Sequence, residues 1–304
     1  MHEQFAEQYG PYALVAGASE GIGAAFARQI ASLGVDLVLV ARRAEPLEAL
    51  AAEIRRQFDV DVRVAAVDLT APDVDDQLAA ATDGLDIGLL IYNAGAAHGA
   101  ADFHDLPLAT AMHLVNLNCV GPVVACHRYG AAMRDRGSGG IVLVGSMAGN
   151  AGVARIATYA ASKAFDQIFA EGLWAELAPH GVHVLALIAG ATDTPALARS
   201  GAIRADGYPP MDPADVAKVM RQETPEWIKT VQHPLVAPVY RGLYGGWEGN
   251  WVAYNTAHDV VLPGSKLGKL GFLMYPVAED QQGRFDSYAP DDFKYAIAAR
   301  EVKA

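Results

Sequence analysis

Three side chains carry the sharpest chemical signal in this sequence. Tyr159 and Lys163 stand four residues apart in YAASK, and Ser146 lies 13 positions before Tyr159, at the end of the apolar run GGIVLVGS. On a helix that spacing places a phenol and an ammonium one turn apart on a shared face. An ammonium favours phenolate over phenol, so such a tyrosine can give a proton to a carbonyl oxygen or take one from an alcohol. A nearby serine hydroxyl can hydrogen-bond the reacting oxygen. Taken singly, a Tyr/Lys pair is usually helix surface and a Ser at a strand end is usually a loop cap.

A glycine-rich turn removes that ambiguity. In GASEGIG (17–23), Gly17, Gly21 and Gly23 surround Ser19, Glu20 and Ile22 between a predicted strand and a predicted helix. Missing side chains permit a tight turn and let a diphosphate approach the backbone amides at the helix start. The spacing is GxxxGxG rather than GxGxxG, so by itself the turn is weak. Joined to Ser146, Tyr159 and Lys163 it points to proton transfer beside a dinucleotide.

The elements that must position these residues follow from hydrophobic periodicity. Strands are predicted at 12–17, 36–41, 62–68, 87–93, 139–146 and 182–190, and helices at 22–33, 44–57, 73–82, 107–134 and 157–178. Near-continuous apolar strands, each followed by a helical run, read as parallel strands buried on both faces. The expected fold is therefore α/β, a Rossmann-type doubly wound parallel sheet forming one domain over 1–304. After Gly190 the composition turns to Gly, Pro, Asp and Thr, and a short helix is expected around PADVAKVMR. This marks 191–259 as a variable substrate region and 277–304 as a polar tail.

Composition excludes several alternatives. With 304 residues, 52% hydrophobic, the chain can bury a sizeable core. A net charge of −12 argues against nonspecific binding to nucleic acid or an anionic membrane. Cys119 and Cys126 are too few for a disulfide framework or thiolate zinc site, and His98, His104, His113 and His127 are too scattered to specify a metal. No membrane-spanning apolar run and no leader pattern stand out, which makes a cytoplasmic location the expectation.

On these motifs the sequence resembles the classical short-chain dehydrogenase/reductase family from about residue 10 to 221. Gly17, Gly21 and Gly23 match its cofactor glycines, Asp68 and Leu69 the adenine-contacting pair, and Asn93, Ala94 and Gly95 the segment behind the cofactor. Asn118 in NCVG falls where the family places an asparagine that supports a proton-relay water; Asn116 is a rival, but the 28 positions from Asn118 to Ser146 fit better. The resemblance implies hydride transfer at nicotinamide C4, with Tyr159 as acid/base, Ser146 orienting the oxygen, Lys163 binding the nicotinamide ribose, and no metal. It also implies a homodimer or homotetramer through the helices at 107–134 and 157–178.

The second strand bears on cofactor choice. LVLVARR carries Ala41 where NAD-preferring relatives place an acid, and Arg42, with Arg43 beside it, offers a guanidinium to a 2′-phosphate. Glu20 opposes this, standing where NADP-preferring relatives often carry a base. NADP(H) is favoured, with NAD(H) the alternative. Two positions depart from the family pattern: Ala16 replaces a Thr, and Ala189 replaces a Pro ahead of Gly190, while Thr192 and Thr194 keep their expected places near the carboxamide and diphosphate.

The stretch VYRGLYGGWEGNWVAYN (239–255) gathers five Tyr or Trp and four Gly before a final strand expected at 260–264. A substrate lid, a subunit interface and packing of an insertion on its own core are all open readings. The expected activity is NADP(H)-dependent interconversion of a ketone and a secondary alcohol on a medium or large apolar substrate. The alternatives are an NAD-dependent alcohol dehydrogenase working oxidatively and a non-catalytic nucleotide-binding regulatory protein.

Overall fold

The structure, a computed structural model, describes residues 2–150, 152–200 and 210–218 and the backbone of 251–255. The apolar runs form parallel strands β1 (Tyr12–Ala16), β2 (Asp36–Ala41), β3 (Val62–Ala66), β4 (Ile87–Tyr92), β5 (Gly139–Ser146), β6 (Val182–Ala189) and β7 (Trp251–Asn255), in the order β3-β2-β1-β4-β5-β6-β7. Every residue of β4 is buried, as a central strand covered on both faces requires. The α-helices among the described residues are α1 (His2–Tyr9), α2 (Gly21–Ala31), α3 (Ala44–Gln57), α4 (Val74–Ala81), α5 (Leu108–Val115), α6 (Gly121–Arg136), α7 (Ala157–Leu177), α8 (Pro195–Arg199) and α9 (Pro213–Ala217), with 3₁₀ turns at Phe103–Asp105, Met147–Asn150 and Ala178–His180.

Strand alternation builds two cores from one sheet. Ala13, Val15, Leu37 and Leu39 join Phe26, Ile30, Leu47 and Ile54 on one face. Leu14, Ala16, Val38 and Val40 join Leu78, Leu117, Tyr129 and Met133 on the other. The order of strands reverses between β1 and β4, and at such a switch point an open α/β sheet takes its ligand in the crevice outside the carboxyl ends of the strands.

Several details differ from the sequence reading. Helix α1 was not expected; Phe5 and Tyr9, one turn apart with ring centroids 4.7 Å apart, drive it into the core. The strand predicted at 62–68 ends at Ala66. The helix predicted at 107–134 is α5 and α6 joined through a π-helical turn, Asn116–Val120. Contrary to expectation, Leu108–Arg136 is long and apolar enough to span a bilayer by length and composition, yet Leu117, Cys126, Tyr129 and Met133 are buried against the sheet. The seventh strand comes from the aromatic stretch itself, paired from Leu185↔Trp251 to Ala189↔Asn255. The expected strand at 260–264, the remainder of 239–255 and the tail 277–304 lie outside the described residues.

Candidate active site

The glycine turn follows β1 at the crevice. Gly17 has φ +81°, and a Cβ there would lie 2.7 Å from the backbone of Ala94. Gly21 has φ +56°, where a Cβ would meet Thr194 at 2.8 Å. At Gly23 a Cβ would clash with Gly17 O and lie 2.7 Å from Asn93 Nδ2. Asn93 Nδ2 donates to Gly17 O at 3.1 Å, tying the segment after β4 to the turn after β1. The conformation and the crowding explain why all three positions are glycine. Together they leave a backbone-lined cradle at the start of α2, with Ser19, Glu20 and Ile22 half-buried around it, which fits a diphosphate.

Helix α7 brings Tyr159 and Lys163 onto one face. Tyr159 is half-buried, whereas the Lys163 side chain is 7% exposed and its ammonium donates to Val144 O at 2.8 Å and Asp166 Oδ2 at 2.9 Å. Burial pulls Lys163 down, but the charges of Asp166 and Tyr159 outweigh it and its pKa is raised. Ser146, at the end of β5, accepts from Ala148 N at 3.2 Å, the bond expected of a turn cap. A Cβ on Gly95 would lie 3.5 Å from both Asn118 Oδ1 and Lys163 Nζ, so these two groups converge beneath the segment after β4.

Asn118 sits within the π turn, whose extra residue lets its side chain reach inward from an otherwise continuous helix. Its Oδ1 accepts from Ala96 N at 3.0 Å, and its Nδ2 donates to Ala96 O at 3.0 Å and Ser162 Oγ at 2.9 Å. Asn118 therefore ties Ala96, in the loop after β4, to α7. The neighbouring Asn116 is half-buried.

The remaining predicted contact residues lie at or just beyond the carboxyl ends of β2, β3 and β6. Asp68 accepts from Thr70 N at 3.0 Å and Thr70 Oγ1 at 2.8 Å, and these bonds hold its carboxyl below its usual range; Leu69 is buried beside it. Ala189 is buried at the end of β6, Thr192 bonds back to Gly190 O at 3.0 Å, and Thr194 caps α8 by accepting from Leu197 N at 3.0 Å. Arg42 is exposed at the end of β2. Arg43 instead pairs with Glu20 at 3.4 Å, and Glu20 also binds Arg199, through Nη1 at 3.2 Å and through Nη2. The opposing charge of Glu20 is thus met by two guanidinia. Arg199 and Asp166 escaped the sequence reading. Arg199 is far away in the chain, but an acid one turn after Lys163 on an apolar helix was a visible signal.

A doubly wound sheet with a glycine cradle at its switch point and a buried lysine one turn from a tyrosine defines a dinucleotide-dependent oxidoreductase acting on CH–OH groups. Residues 11–204 match the short chain dehydrogenase family, and the chain belongs to that family. It is 34% identical over 221 residues to a 7beta-hydroxysteroid dehydrogenase of Clostridium sardiniense, covering 72% of this chain and 80% of that protein. It is 39% identical over 179 residues to a very-long-chain 3-oxoacyl-CoA reductase of Podospora anserina, covering 58% of this chain but only 53% of that relative, about half its length. Among solved structures, a short-chain dehydrogenase from Sphingobium yanoikuyae in complex with NADPH is 34% identical with a TM-score of 0.64, covering 69% of this chain and 82% of that one.

Proposed function

We propose that this chain interconverts a ketone and a secondary alcohol on a medium-sized or large apolar substrate, using NADP(H). The observation that carries the reading is the interior placement of the Lys163 ammonium one turn from Tyr159, beside Asn118 and behind the glycine cradle. The relatives' names, a hydroxysteroid dehydrogenase and a very-long-chain oxoacyl-CoA reductase, support an apolar substrate, and the NADPH complex supports the cofactor.

Gly17–Gly23 would hold the diphosphate, Asp68 and Leu69 the adenine, Asn93–Gly95 the back of the site, and Ala189–Thr194 the carboxamide side. When bound, the nicotinamide supplies or accepts a hydride. Tyr159 donates its phenolic proton to the carbonyl oxygen in reduction and accepts one from the alcohol in oxidation, while Ser146 Oγ orients that oxygen. Lys163 would bind the ribose, and Asn118 would support a water chain from Lys163 to solvent. Arg42 meets the 2′-phosphate, with Glu20 neutralised by Arg43 and Arg199. Residues 191–259 shape the substrate pocket.

Self-association is supported by Leu108, Met112, Val120, Val123 and Ile168, all large, apolar and exposed on α5, the π turn, α6 and α7. A cytoplasmic setting is supported by Cys119 and Cys126 standing unpaired. Tyr159→Phe tests the central claim: turnover should fall at least about a thousandfold while NADPH still binds. Turnover close to wild type would overturn it.

A further inference from the structure

A cation taken out of water needs a counter-charge, and α7 provides one for Lys163. Asp166 lies one turn beyond it with a side chain only 4% exposed, and accepts from Lys163 Nζ at 2.9 Å while Val144 O accepts at 2.8 Å. An ammonium has three donors, so one remains beyond these two bonds, and Nζ lies beside Gly95 at the crevice. We propose that Asp166 is a positioning residue that keeps Lys163 an ammonium in a dry site and fixes it so that one N–H faces the cofactor ribose and Tyr159. This rests on the reading of Lys163 given above.

Stability alone accounts poorly for the pair. Replacing a buried ion pair by packed apolar groups is often neutral or stabilising, so a carboxylate inside an apolar helix face suggests a task for the charge. Without it, burial would lower the Lys163 pKa and favour its neutral amine. The other titratable groups that bear on the pair are Tyr159 on α7, Tyr92 on β4, Cys119 in the π turn and Cys126 on α6. Burial pushes Tyr92, Cys119 and Cys126 up, keeping them neutral at working pH. Asp166 itself is raised by burial, which Lys163 only partly offsets, and its 2.9 Å contact with Nζ marks it as the counter-ion.

The test uses the full chain with lysine labelled with ¹³C at Cε, the Lys163 resonance being assigned from its loss in Lys163→Arg. In wild type the Lys163 signal should keep its ammonium position through about pH 9.5, as an unperturbed or raised lysine does. In Asp166→Asn its midpoint should fall by about two pH units or more. NADPH affinity, measured by fluorescence between about pH 6.5 and 9, should be flat in wild type and weaken about tenfold across that range in the variant. Coincident Lys163 titrations in the two proteins would overturn the proposal. Should Asp166→Asn fail to fold, wild type still decides, because a Lys163 midpoint below about pH 9 refutes it. Failure of wild type to bind NADPH at any pH would instead remove the cofactor reading, and the Lys163 titration would still judge Asp166.

Discussion

Gly23→Ala sets two physical effects against each other. Gly23 lies in the first turn of α2, and alanine is the better helix former by about 1 kcal/mol, so propensity alone predicts stabilisation. The packing predicts the reverse. The added methyl would clash with Gly17 O and sit 2.7 Å from Asn93 Nδ2 and 2.8 Å from Gly17 C, where ordinary contacts begin near 3.4 Å. The turn and the loop after β4 must separate by several tenths of an ångström or more, which strains packing by about 1–3 kcal/mol. It also loosens the 3.1 Å Asn93–Gly17 hydrogen bond, worth about 1 kcal/mol. After the propensity gain is subtracted, the net destabilisation is about 1–3 kcal/mol, a fall in Tm of roughly 2–10 °C by scanning calorimetry. Displacing the amides proposed to hold the diphosphate should weaken NADPH at least about tenfold by titration fluorescence. Gly172→Ala is the matched control: this glycine lies inside α7, and a Cβ there meets nothing within 4 Å, so it should stabilise by up to about 1 kcal/mol. A Gly23→Ala protein as stable as wild type, with unchanged NADPH affinity, would refute the close-approach argument.

Cofactor choice and pH dependence offer further checks. Arg42→Ala should weaken NADPH about tenfold or more and NADH less than about twofold, measured by titration; equal losses would remove Arg42 from the 2′-phosphate. Arg199→Ala frees part of the Glu20 charge, so NADPH should weaken by no more than about fivefold, the effect fading as salt is raised. A salt-independent loss would point to a direct contact instead. His183 Nδ1 and Tyr9 Oη share a hydrogen bond of 2.7 Å, and burial holds the His183 pKa below the usual value. Its contribution to stability is therefore complete above about pH 6.5 and is lost as pH falls through the depressed folded value. Tm should drop less between pH 7.5 and 5 in His183→Gln than in wild type; parallel drops would exclude His183 as the source.

The alternating apolar runs determined six parallel strands and most of the large helices, because burial on both faces leaves a periodicity that needs no partner to be read. GASEGIG and YAASK, with Ser146 and Asn118, determined the candidate site, since turn geometry and one-turn spacing are local properties. Tertiary structure alone decided what those residues touch. It closed Asn118 onto Ala96 and Ser162, turned Glu20 from an isolated objection to NADP into the partner of Arg43 and Arg199, and drew the seventh strand from WVAYN. It also sealed Lys163 with Asp166 in the interior. Contacts such as these depend on which distant segments share a low-dielectric space, and burial is set by the whole fold rather than by neighbours in the chain.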